Sequence, residues 1–154
     1  MYDQLIETFQ INNRINLYLL DAVDEKHLAD VPTGTKGRNA GKQFAHLHNV
    51  RLMWLKAAAP ELLEGLVKLE DADAAKKKPI KDALVKSGKA IESLLQKAAK
   101  EGKIKGFKPH PTAFTGYLLA HEAHHRGQIM LTLKQNGHMV DQKIQYGLWE
   151  WGTR

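Results

Sequence analysis

Apolar residues recur along this chain at helical spacing and nowhere alternate as a strand would. In residues 2–23, Leu5, Ile6, Phe9, Ile15, Leu17, Leu19 and Leu20 mark a first helix that ends in Asp24-Glu25-Lys26. The stretch 32–39, with Pro32, Gly34, Gly37 and Asn39, reads as a loop. Asn39 suits the N-cap of a second helix over 40–59, which Pro60 stops. Residues 61–69 predict a short helix, followed by a connector rich in Asp, Ala and Lys. Pro79 fits the first turn of a third helix, 80–101, with Gly102 just past its end. After a loop over 103–110, Pro111 opens a fourth helix that runs to Asn136, where Gly137 supplies the stop. A short turn or helix near Asp141 precedes the aromatic tail Tyr146-Gly147-Leu148-Trp149-Glu150-Trp151. Four long helices predict an all-α four-helix bundle, expected as one domain over 1–154, and the long second connection leaves room for a crossover.

Composition narrows this picture. Of 154 residues, 43% are hydrophobic and 26% charged, the balance of a globular chain able to bury a core. The absence of cysteine removes disulfides, thiolate ligands and a catalytic thiol. The first residues show no basic and apolar leader pattern, and no stretch approaches the ~20 apolar residues that span a bilayer, so the expected compartment is the cytoplasm without membrane attachment. A net charge of +6 gathers in lysines from Lys76 to Lys108. Without interleaved aromatics and arginines that face reads as solvated rather than as a nucleic-acid surface.

Candidate chemistry sits in His121-Glu122-Ala123-His124-His125, literally H-E-x-x-H. On a helix His121 and His125 are about 40° apart, with Phe114, Tyr117, Gln128 and Ile129 on nearly the same stripe. His124 lies about 100° from His125 and does not readily join the same ion. In the second helix His46 shares a stripe with Leu47, Val50, Met53, Trp54 and Ala57, which predicts an inward-facing histidine. His48 points toward solvent or a helix neighbour. His46, His121 and His125 therefore form a three-imidazole candidate for a divalent metal (Zn, Ni or Fe), with positions left open for water or substrate. Tyr117 and Gln128 are candidate substrate-binding residues on the same stripe.

The zinc-protease reading of H-E-x-x-H fails downstream. Where a metzincin continues with Gly and His, this chain has Gln128 and Leu131, and no strand offers a substrate-aligning edge. Glu122 reads instead as a structural residue, with Arg126 as its i, i+4 partner.

The stretches Gly41-Lys42-Gln43-Phe44-Ala45-His46-Leu47, Trp54, His121-Glu122-Ala123-His124-His125-Arg126-Gly127-Gln128 and the terminal Gly147-Leu148-Trp149-Glu150-Trp151 together resemble the DinB-like superfamily of metal-binding four-helix bundles. The resemblance implies an up-down-down-up bundle with a long crossover between the second and third helices. It implies His46, His121 and His125 as ligands, and frequent homodimers. It further implies either a transferase joining a low-molecular-weight thiol to a small electrophile or a hydrolase. The alternative is a non-catalytic, metal-stabilised or stress-associated binding module.

Overall fold

A computed structural model describes residues 2–154. Four long helices carry the fold: α1 (Tyr2–Ala22), α2 (Ala40–Ala58), α4 (Lys77–Glu101) and α5 (Pro111–Gln135). Two short ones, α3 (Asp71–Ala74) and α6 (Gln142–Gly147), lie in the crossover and in the C-terminal segment. No β-strand forms among the described residues. No helix there is long and apolar enough to cross a membrane.

Local chemistry sets the helix ends. The Asn39 side chain accepts the Lys42 N–H at 2.8 Å, satisfying one free donor at the start of α2. His110 does the same for α5 through Nδ1 and the Ala113 N–H at 3.2 Å, with Pro111 in the first turn. Gly102 closes α4 at φ 71°, a left-handed value that a side chain would strain. The α4 helix starts at Lys77, a few residues before the predicted Ile80, because nothing in Lys77 or Lys78 opposes a helical turn ahead of Pro79.

Pairing between helices fixes the topology. Gln10 bonds Glu92 while Asp21 pairs with Lys81, so α1 and α4 run antiparallel. His48 meets Ala83, and beyond the end of α2 Glu61 meets Lys97, so α2 and α4 run parallel. Gln43 meets His125 while Trp54 packs on Phe114, which makes α2 and α5 antiparallel. The bundle is thus up-down-down-up, and the chain must travel the length of α2 between Ala59 and Lys76. It does so without the predicted helix over 61–69. A 3-10 turn, Pro60–Leu63, gives way to extended chain, since Gly65 takes φ 71° and the following backbone bonds to α2 side chains instead of to itself. Asn49 exchanges two hydrogen bonds with the Leu69 peptide, at 2.9 and 3.0 Å. Gly41 lets α3 press on α2, because a Cβ there would collide with the Ala74 carbonyl.

Two apolar clusters fill the interior. One joins Leu19, Leu20, Phe44, Leu47, Leu84 and Ile129, and the other joins Phe9, Leu55, Ile91, Leu94, Phe114 and Leu118. Between them runs a layer of buried polar groups, Asn12, Asn16, Arg51, Ser87 and Glu122.

Candidate metal centre

The polar layer determines how α2 and α5 are rotated. Arg51 and Glu122 are 0% and 1% exposed in their side chains and form a bidentate pair, Nε to Oε1 at 2.7 Å and Nη2 to Oε2 at 2.9 Å. The Asn12 and Asn16 amides donate to Glu122 Oε2 at 2.6 and 2.7 Å. Arg51 Nη1 donates to the Leu84 carbonyl at 3.1 Å and to Ser87 Oγ at 3.3 Å. Burial alone would raise the Glu122 pKa, but the Arg51 charge and these hydrogen bonds hold it below the usual value. Glu122 accepts four hydrogen bonds, three on Oε2 and one on Oε1, inside a buried ion pair, which fits a structural anion rather than a base. Its ion-pair partner is Arg51 on α2, not Arg126, which instead donates to the Asn12 and Asn16 carbonyl oxygens at 2.7 and 2.6 Å.

This pair takes the centre of both helix faces and displaces the expected stripes. On α2 the buried positions include Phe44, Leu47, His48, Arg51, Leu55 and Ala58, while Met53 is 53% exposed. On α5 they include Phe114, Leu118, Glu122, His125 and Ile129, and Tyr117 and Gln128 are exposed. His48 turns to its helix neighbours, with ring nitrogens 3.1 Å from the Ala83 carbonyl and 2.8 Å from that of Val67. The candidate histidines consequently lie at the rim of the core, with His46 and His121 half-buried and His125 buried.

The structure brings together the three histidines singled out by spacing. One nitrogen from each of His46, His121 and His125 falls within 4.8 Å of the other two. Nε2 of His121 and Nε2 of His125 are 3.1 Å apart, near the ~3.3 Å that two ligand nitrogens take round a tetrahedral ion with bonds of about 2.0 Å. His125 Nδ1–H donates to Gln43 Oε1 at 2.6 Å, which leaves the Nε2 lone pair facing its neighbours. Burial, then Arg38 and His121, holds the His46 imidazole down to about 4. Burial, then His121 and His46, does the same for His125, also to about 4. Burial lowers His121 as well. All three rings are therefore neutral at pH 7, the state in which imidazole ligates a metal. His121 Nδ1 is buried without a hydrogen-bond partner among the described residues.

The surroundings are asymmetric. Trp54, Phe107, Phe114 and Tyr117 form an edge-packed aromatic cluster, and Tyr117 lies on His121 with ring centroids 6.2 Å apart and planes 21° apart. Gln128 sits away from the three nitrogens, with its amide 3.5 Å from His124 Nε2. His46 also lines a groove of about 290 Å³ against the crossover, with Arg38, Lys42, Asn49 and Lys68 around it. Lys42 and Lys68 are paired with Asp71 and Glu70, while Arg38 has no ion-pair partner among the described residues.

A family model described as DinB family matches residues 1–151. The chain belongs to the DinB family. DinB membership agrees with the all-helical bundle and with a histidine group able to hold an ion. No curated protein and no solved structure matches the chain.

Sequence reasoning passed over several residues that shape this DinB-family site. Gln43 stood inside the family-like stretch without a role. Arg51 carries no expected role in the sequence, and a signal for its burial is the pair of asparagines on an apolar helix, Asn12 and Asn16, spaced i, i+4.

Proposed function

We propose that this DinB-family protein binds one divalent metal ion through His46, His121 and His125 and uses it in group transfer from a low-molecular-weight thiol to a small electrophile, or in hydrolysis of a small substrate. The observation that carries the reading is the convergence of three neutral imidazoles at the rim of the bundle rather than deep within it. A divalent ion in such a donor set supplies Lewis acidity, lowering the pKa of a thiol or water that reaches it.

The protein's own groups do the rest. Gln43 fixes the His125 tautomer, and the Arg51–Glu122 pair locks the relative rotation of α2 and α5, hence the distance of His46 from the other two rings. Tyr117 provides an aromatic wall beside His121 for the apolar part of a substrate. Gln128, beside His124, is the more remote substrate contact. Arg38 gives the groove an unpaired positive charge suited to an anionic group on the thiol or substrate. In the transfer, the thiol proton leaves to solvent, sulfur bonds to the electrophilic carbon, and the leaving group departs with the bonding pair.

Elemental analysis of the purified protein and of His46→Ala tests the metal. One equivalent in the native protein and a large loss in the variant are expected, together with a rise in Tm on adding Zn²⁺ or Ni²⁺ to the metal-free native protein only. Unchanged metal content in His46→Ala removes the proposal. A panel of small thiols with an aryl halide then tests the reaction, with turnover expected only in metal-loaded protein.

A further inference from the structure

A second cavity, of about 430 Å³, lies on the opposite side of α5 from the histidines, between α1, α5 and the C-terminal segment. Its walls are apolar, with Leu119, Met130, Leu148, Trp149 and Trp151, and Ala123 and Gly127 leave it wide along α5. Its polar residues are Asn12, Gln145 and Arg126, and no acidic residue lines it.

Arg126 is the informative member. Its Nη1 is used by Asn12 and Asn16, and the rest of the guanidinium, Nε and Nη2, has no hydrogen-bond partner among the described residues. Among the described residues the only carboxylate in the adjoining buried layer, Glu122, is already engaged twice by Arg51. Two arginines thus share one buried acid, and one positive charge is left over where the cavity meets the layer. Glu122 acts on Arg126 only through space, without a hydrogen bond, so this half-buried guanidinium has no carboxylate of its own, which is costly, and its planar fork matches one. The volume lies within the ~300–1,000 Å³ of small-molecule sites.

We infer that the cavity between α1, α5 and the Trp149–Trp151 segment binds a small amphipathic monocarboxylate, its apolar body against Leu119, Met130 and Trp149 and its carboxylate on Arg126. A cation is disfavoured by Arg126, and a neutral apolar molecule leaves the charge unanswered.

Isothermal titration of the full chain with octanoate, octanol and octylamine tests this, with tryptophan fluorescence as a second readout because Trp149 and Trp151 line the cavity. Octanoate is expected to bind with one-to-one stoichiometry and about tenfold or more tighter than octanol, with no binding of octylamine. Arg126→Gln is expected to bring octanoate to the octanol value. Because Arg126 also serves the buried layer, Gly127→Phe is the independent variant: a Cβ at Gly127 meets nothing within 4 Å, so the ring enters open space. It is expected to weaken octanoate about tenfold or more while the zinc-induced rise in Tm persists, which separates this site from the histidine centre. Absence of octanoate binding, equal binding of the three probes, or octanoate affinity untouched by Gly127→Phe overturns the inference. So does a concentration-dependent dimer in sedimentation that Gly127→Phe disperses, since a second copy then covers the cavity.

Discussion

Gln43 and His125 show how much one hydrogen bond decides. An imidazole that ligates through Nε2 must carry its proton on Nδ1, and Gln43 Oε1 at 2.6 Å holds it there. Gln43→Leu keeps volume but removes the acceptor. Zinc affinity, measured by chelator competition, is expected to fall about 10–100-fold with the far-ultraviolet circular dichroism unchanged. The histidines also set a pH response. His46 and His125 have folded values of about 4 against ordinary values of 6.5, so below pH 6.5 the unfolded chain binds more protons than the folded one. Their contribution to stability is full above about pH 6.5 and is lost as pH falls through about 4. The Tm of metal-free protein is expected to decline across this window, and His46→Gln/His125→Gln to flatten the decline.

Between elements, the Arg51–Glu122 pair is the main joint of α2 and α5. Removing one partner leaves a buried charge with nothing to answer it, so Arg51→Met is expected to cost about 3–5 kcal/mol in urea denaturation. Glu122→Gln retains an oxygen for the asparagines but not the charge for Arg51, and should also destabilise strongly. A protease base in its place would behave oppositely, with activity lost and stability kept. The crossover has its own joint at Gly41. Gly41→Ala forces its methyl into the Ala74 carbonyl, and a loss of about 1–3 kcal/mol is expected despite the better helix propensity of alanine.

At the scale of the whole molecule, the net charge of +6 is spread along surfaces that carry their own acids. Lys78 pairs with Asp82, Lys81 with Asp21 and Lys97 with Glu61, so the lysine-rich face of α4 is partly neutralised. Fluorescence anisotropy with a duplex oligonucleotide is expected to show only weak binding at low salt, without the steep salt dependence of a phosphate-binding surface. Local features were legible in the chain itself. The cap at Asn39, the start at Pro111, the stop at Gly102, the four long helices and the His121–His125 pair all follow from residues within a few positions of one another, whereas only helical periodicity on a separate element marked His46. The crossover over 61–69 was not, because its backbone bonds to side chains of α2 rather than to itself. Nor was the rotation of α2 and α5. Periodicity assumes that apolar residues face inward, and only the meeting of Arg51 with Glu122, 71 positions away, made it favourable to bury two charges. That long-range neutralisation moved the histidines from the expected centre of the core to its rim, with His46 and His121 half-buried.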